Sequence, residues 1–263
     1  MKPNDFVSSD TSPRPCLGVI LARGGSQGLP GKHLLPLLGR PVISYTFDHA
    51  RQSRTLTHIV VSSDDRAILR LAERDGLPTL HRPAELATAD ATVQDVLLHA
   101  LDAAAPLFGG VDFEAVVTLY GNVPVRPVMT EGSPSVIDHA VQMLLETGAD
   151  SVRSFTPVGK WHPQWMAILR DGHVTPLYAG SVHRRQDLTP VWLHDGAVVV
   201  SARGVLEQAR RHRDDPHAFF GIDRRGIEVP HGSTVEIDSR RDLYWAEAVL
   251  RDREAAGAAL RVA

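Results

Sequence analysis

The stretch Arg23-Gly24-Gly25-Ser26-Gln27-Gly28-Leu29-Pro30-Gly31-Lys32 combines four glycines, one proline and two cations. Glycine lets a backbone bend sharply and bring its N–H groups close to an oxyanion, while Arg and Lys neutralise charge there. The apolar run Leu17 to Leu21 just before it reads as a buried strand. A strand that empties into such a loop suits a triphosphate cradle. An ordinary Gly-rich turn is the competing reading, and the cations at the two ends, Arg23 and Lys32, weaken it. Two commoner phosphate loops are excluded by spelling. A Walker A loop needs Gly where Ser26 stands and Ser or Thr where His33 stands. The dinucleotide fingerprint is absent, and Leu34-Leu35-Pro36 does not open a helix at once.

A second candidate is Val235-Glu236-Ile237-Asp238. Residues two apart in an extended segment point the same way, so both carboxylates can face one metal ion. Asp238 can equally cap the helix that follows. However, Ser239-Arg240-Arg241-Asp242 already spells a capping box, which assigns that task to Asp242 and leaves Asp238 available. The thirteen histidines show no zinc-binding spacing, and no nucleophilic triad is indicated.

These residues need a frame to hold them. Apolar runs at His58 to Ser62, Leu77 to Leu80, Ala115 to Tyr120, Asp150 to Phe155 and Gly196 to Ser201 read as strands. Helical patterns at Val42 to Ser53, Asp64 to Arg74, Thr92 to Ala105, Ser133 to Thr147 and Val205 to Arg213 alternate with them, and a last helix starts at Ser239. Such alternation predicts an α/β fold with a mostly parallel sheet and helices on both faces. Ligands of these sheets sit beyond the carboxyl ends of the strands, where the Gly-rich loop, Ser62-Ser63-Asp64-Asp65 and Gly121-Asn122-Val123-Pro124 all fall. The alternation lapses between about residues 157 and 194. Three of the four tryptophans gather there, which suits an inserted hairpin with a local core or a subunit interface.

At 263 residues, one large domain over residues 16–263 is expected, behind a polar arm at residues 1–15 that has no apolar core of a signal peptide. No apolar run approaches a membrane span. The single cysteine, Cys16, cannot form an internal disulfide, and a reducing cytoplasm is the simpler setting. A net charge of −3 argues against nonspecific nucleic-acid binding, so an anionic ligand must be held by local cationic clusters.

Leu21-Ala22-Arg23-Gly24-Gly25-Ser26-Gln27-Gly28-Leu29-Pro30-Gly31-Lys32-His33 resembles the signature loop of the CMP-sialic acid synthetases, or acylneuraminate cytidylyltransferases. It departs at Gln27, usually Lys, and at His33, usually Asn. Four further segments resemble the same family in order. His81-Arg82-Pro83-Ala84-Glu85-Leu86-Ala87 is similar to its R-P-x-x-L-A segment; alone it would read as a surface turn with a solvated cation. Tyr120-Gly121-Asn122-Val123-Pro124-Val125-Arg126 matches at Pro124 and Arg126, while Gly121-Asn122 resembles the Gly-Asp of related sugar nucleotidyltransferases such as KDO synthetases. Arg184-Arg185-Gln186-Asp187-Leu188, followed by Asp195-Gly196-Ala197, is similar to a stretch beside the sugar site, and a basic surface hairpin is its alternative reading. Glu236 and Asp238 stand where the family carries D-x-D.

The resemblance implies a Rossmann-like nucleotidyltransferase fold with a small dimerisation lobe at about 157–194. It implies condensation of CTP with an acidic nine-carbon sugar, releasing pyrophosphate, with Mg²⁺ as cofactor and a homodimer as the working unit. Arg23, Lys32 and Asp238 would be catalytic. Leu21, Ala22, Arg23, Gly24, Gly25, Ser26, Lys32, His33, Arg82 and Asn122 would bind nucleotide. Tyr120, Arg126, Arg185 and Gln186 would bind the sugar, and Glu236 and Asp238 the metal. Gln27 in place of Lys removes one cation, so weaker nucleotide binding than in relatives is expected. A KDO or sugar 1-phosphate transferase and a homologue that has lost its chemistry are the competing functions.

Overall fold

Uninterrupted apolar runs become the centre of the sheet, where both faces are covered. The computed structural model describes residues 14–25, 28–128, 133–180 and 182–260. Its main strands are β1 (Cys16–Leu21), β2 (His58–Ser63), β3 (Thr79–His81), β4 (Ala115–Tyr120), β5 (Ser151–Pro157), β6 (Trp192–Ala202) and β7 (Arg224–Glu228). They form one sheet in the order β7-β5-β6-β4-β1-β2-β3. All neighbours are parallel except β6, which runs antiparallel to both β4 and β5. Central β1 is buried along its whole length, as a strand covered on both faces must be.

The helices are α1 (Val42–Gln52), α2 (Arg66–Arg74), α3 (Val93–Leu107), α4 (Val136–Thr147), α5 (Arg203–Ala209) and α6 (Arg240–Leu260). One face of the sheet packs Ile20, Val61, Leu119 and Val152 against α1, α2 and α4. The other packs Val19, Val60, Val116 and Val199 against α3 and α5. A third cluster joins Leu37 and Val125 to Ile237 and to Ala246 of α6. Helix starts follow local chemistry. Asp65, Thr92 and Ser135 each accept a backbone N–H at the head of α2, α3 and α4. Asp242 Oδ2 accepts from the backbone N–H of Asp238 and Ser239, at 3.0 and 2.7 Å, so Asp242 takes its side of the predicted capping box.

The extended segment from Thr234 to Asp238 is tied in by a single β-bridge, Val125 to Val235. One feature differs from the sequence reading. β6 is longer than the apolar run suggested and carries a register shift between His194 and Val199. Asp195 fills that bulge, accepting from Ser154 Oγ, Thr234 Oγ1 and the N–H of Ala197, and Gly196 takes a left-handed φ of 78° there. Between β5 and β6, the strands Ala167–Arg170 and His173–Pro176 form the expected hairpin, exposed along its length.

Candidate active site

The carboxyl end of β1 is clamped on both sides before the Gly-rich loop begins. Ala22 N–H donates to Ser62 of β2 at 3.1 Å, and Gly121 N–H donates to Leu21 at 2.9 Å. Gly121 is closely surrounded here: a Cβ would meet His33 Cδ2, Ile43 Cδ1 and the Leu21 carbonyl, each at 3.1 Å, so any larger residue would have to displace them. Beyond the clamp, Gly24 N–H donates to Asp64 Oδ1 at 2.9 Å, and the Arg23 guanidinium donates to the Thr88 carbonyl. Ser26 and Gln27 lie outside the described residues. The loop closes on Gly31, whose φ of 64° starts a short 3₁₀ turn over Lys32–Leu34 instead of an α-helix. That turn faces Lys32 to the cleft and buries His33 behind it.

The cleft is a cavity of about 250 Å³ over the ends of β1 and β4. Arg23, Lys32 and Arg82 supply its positive charge; Leu21, Tyr120 and Val96 of α3 supply apolar surface; His33, Asn122 and Glu236 complete it. Arg82 is no surface cation. It is 4% exposed, and its guanidinium donates to Ser62 Oγ at 3.3 Å and to the Ser62 carbonyl at 3.0 Å, both neutral acceptors. Burial pulls it down to about 10, Asp64 opposes that, and Arg23 adds to it. It stays charged at neutral pH and faces the cavity without a carboxylate bonded to it. The His33 imidazole is pushed down to about 4, first by burial and then by Lys32 and Arg82. It is neutral at pH 7 and a weak base. Burial, helped by Glu236, raises the Tyr120 hydroxyl to about 12, so it remains a donor.

At the rim, Lys32 Nζ pairs with Asp238 Oδ1 at 2.7 Å, and the Asp238 side chain is 67% exposed. Asn122 Nδ2 donates to Glu236 Oε1 at 3.0 Å and to the Ile237 carbonyl at 3.1 Å, while Ile237 N–H donates to the Asn122 carbonyl at 2.8 Å. No cluster of three or more metal-binding side chains occurs among the described residues. Two carboxylates suffice for Mg²⁺, which commonly takes one or two from protein and the rest from phosphate and water. The donor set of Glu236 and Asp238 therefore fits an ion completed by a bound triphosphate.

Leu21, Arg23, Lys32, His33, Arg82, Tyr120, Asn122 and Glu236 meet around one cavity; the sequence reading gave Tyr120 to the sugar, Glu236 to the metal and the other six to the nucleotide. Gly24 lies on the loop beside it, and Ala22 contributes backbone only, being fully buried. Arg126 is a correction. It is 2% exposed, and its guanidinium donates to the carbonyls of Ala197, Val123 and Tyr120, to Thr46 Oγ1 and to His49 Nδ1. Those bonds spend it on holding β4, β6 and α1 together, so it does not reach a sugar. Arg185 and Gln186 sit in the lobe instead. Arg185 lines a separate cavity of about 180 Å³ with His162 and Trp192, and a single chain does not bring either residue to the cleft. Asp64 went unassigned in the sequence. Its signal was a pair of acids, Asp64-Asp65, where a helix needs only one cap.

Comparison with known proteins agrees with this geometry. The family model described as Cytidylyltransferase matches residues 17–165. The CMP-N,N'-diacetyllegionaminic acid synthase of Legionella pneumophila is 36% identical over 196 residues, covering 73% of this chain and 80% of that protein. The N-acylneuraminate cytidylyltransferase of Streptococcus agalactiae is 29% identical over 229 residues, covering 86% of this chain; the chain spans 51% of that relative's length. Among solved structures, a CMP:2-keto-3-deoxy-manno-octonic acid synthetase complexed with CTP superposes with a TM-score of 0.64 at 18% identity, covering 91% of this chain and 99% of that one. The last is a likeness of fold. The family match spans more than half of the sequence and includes the loop, the cationic cavity and the clamp on β1: the chain belongs to the cytidylyltransferase family.

Proposed function

We propose that the chain transfers a cytidylyl group from CTP to the anomeric hydroxyl of a nonulosonic, sialic-acid-like sugar, releasing pyrophosphate. The observation that carries this reading is the convergence of Arg23, Lys32 and Arg82 on one cavity, with two carboxylates at its rim. Three cations match a triphosphate. The sugar oxygen forms its bond to the α-phosphorus as the bond to the β-phosphate oxygen breaks, its hydroxyl proton passes to water, and charge on the departing pyrophosphate grows. Lys32 and Arg23, at the two ends of the loop, are placed to stabilise that charge, and Arg82 anchors the nucleotide from below. Glu236 and Asp238 would hold Mg²⁺, which when bound neutralises triphosphate charge. Asn122 keeps Glu236 in position for this. Lys32 must share Asp238 with the incoming ligand, so the pair holds the loop ready until then.

Relatives named for N-acylneuraminate and N,N'-diacetyllegionaminic acid support a nine-carbon acid. The 3-deoxy-manno-octulosonate cytidylyltransferase of Acidobacterium capsulatum, 25% identical over 253 residues, and the Gly121-Asn122 pair support an eight-carbon acid as the second reading. We further infer a homodimer joined through the lobe, supported by its exposed Trp161, Leu169, Val174 and Trp192. The cytoplasm is the compartment that supplies CTP and suits the single buried cysteine. No helix among the described residues is long and apolar enough to cross a membrane. The deciding experiment is pyrophosphate release with Mg²⁺ across the four nucleoside triphosphates and a panel of sialic, legionaminic, pseudaminic and KDO-type acids. Turnover with CTP and one nonulosonic acid is the expected result. Turnover only with KDO selects the second reading, and CTP binding without turnover on any acid identifies a site that has lost its chemistry.

A further inference from the structure

Arg153 is a half-buried cation on the sheet that makes no ion pair with any described residue. It lies on β5, opposite Val199 of β6, which is itself opposite Thr118 of β4; on the other side it faces Gly226 of β7. Residues in register across a sheet share a face, and so do residues two apart along a strand. Arg153 therefore emerges on the face that carries Tyr120, Phe155 and the nucleotide cavity. It stands on the side of Tyr120 away from β1.

Its surroundings hold the guanidinium without satisfying it. The Cζ lies 4.2 Å from the centroid of the Phe220 ring and 5.1 Å from that of Phe155. Its Nε is buried and has no hydrogen-bond partner, and the side chain makes no ion pair with any described residue. Burial and repulsion from Arg224 lower its affinity for a proton, and only Tyr120 acts in the opposite direction. Arg224 also reaches toward Phe220, at 5.9 Å from the centroid. A half-buried guanidinium with a buried, idle Nε donor, beside a second cation and aromatic walls, suits a planar anion. The Phe155 ring packs over the neighbouring Gly226, where a Cβ would come within 2.9 Å of it.

We propose that Arg153 recognises the carboxylate of the acceptor sugar acid. This rests on the cytidylyl transfer proposed above and names the residue that makes the site select an acid. In a 2-ulosonic acid the carboxylate is bonded to the same carbon as the reacting hydroxyl. It must lie a few ångströms from the α-phosphate, and Tyr120, which the family resemblance assigns to the sugar, lines the nucleotide cavity. Arg126, the other arginine expected there from within the same chain, is spent on backbone carbonyls.

The test compares the sugar acid that the wild-type enzyme uses with its carboxamide, in wild type and in Arg153→Met, which keeps an apolar stem beside Phe220. Loss of a charge-assisted hydrogen bond should raise KM for the acid about tenfold or more, with KM for CTP unchanged within about twofold. The wild-type preference for acid over carboxamide should collapse toward unity in the variant. A variant that keeps both the wild-type KM and the wild-type preference overturns the proposal. If Arg153→Met does not fold, judged by its thermal transition, Arg153→Lys is measured. Keeping the charge without the fork, it should lose part of the preference, and full retention again overturns the assignment. The underlying function fails separately: a wild-type protein with no CTP-dependent turnover on any acid removes both readings, whereas wild-type turnover with an indifferent Arg153 variant removes only this one.

Discussion

At the scale of single residues, the cavity depends on charges that burial has made selective. Arg82 donates to Ser62 alone, and the Ser62 carbonyl also accepts from Ala22, so removing the guanidinium strands no buried acceptor on the backbone. Arg82→Met should therefore fold with little change in melting temperature, since an apolar replacement of a buried charge is commonly tolerated. Its KM for CTP should rise about 10- to 100-fold, the scale of one lost charge-assisted contact to phosphate. An unchanged nucleotide KM would remove Arg82 from the binding site. His33 gives a pH signature. Its folded value of about 4 lies below the ordinary 6.5 because burial opposes the imidazolium. Between those values the unfolded chain binds a proton that the folded chain does not. The corresponding stability, about 3 kcal/mol, is present above pH 6.5 and lost as the pH falls toward 4. Melting curves of nucleotide-free protein should show that decline, and His33→Asn should flatten it; parallel curves for the two proteins would exclude His33 as the source.

At the scale of elements, the turn after β2 is the piece that holds the Gly-rich loop to the sheet. Asp65 caps α2, and Asp64 takes the Gly24 N–H. A Cβ on Gly24 would approach Asp65 Cβ to 3.0 Å, so loop and turn are in close contact. Asp64→Ala should loosen the loop and raise KM for CTP several-fold, while Asp64→Asn, which keeps an acceptor oxygen, should recover most of the loss. Equal impairment by both would assign Asp64 an electrostatic role through Arg82 instead. The alternation of strands and helices made the sheet and its carboxyl edge legible, and the glycines and end cations marked the loop. Burial was not legible. Arg82 alone read as a solvated turn cation, given to the nucleotide only by the resemblance, and Arg126 read as a sugar ligand, yet both are buried, one facing the cavity and the other spent between strands. A sequence gives residue type and spacing, but the packing of α1 against β4 decides which guanidinium keeps a free edge. Arg153 did leave a trace, a lone charge within Ser151-Val152-Arg153-Ser154-Phe155. The antiparallel insertion of β6, which sets what that charge faces, left none.

At the scale of the whole molecule, the lobe between β5 and β6 presents an apolar surface that a single chain leaves uncovered. Leu169 is 72% exposed and Val174 66% exposed, on a hairpin whose strands bury nothing on their own. A two-stranded hairpin is marginal in water unless one face is covered, which favours a second copy as the cover. Arg185 lies on this lobe, outside its own chain's cleft. If the lobe reaches across the dimer, each working site combines one chain's Asp238 with the other chain's Arg185. Arg185→Ala and Asp238→Asn should then each be inactive alone and complement each other when mixed and allowed to reassociate. Half of the random dimers would be mixed and one site in each would be intact, so activity should recover to about a quarter of wild type. Light scattering on the same mixture should report a dimer throughout. Inactive single variants that give no recovery after confirmed exchange would place Arg185 in service of its own chain. A monomer in solution would make the exposed hairpin a docking face for a different protein.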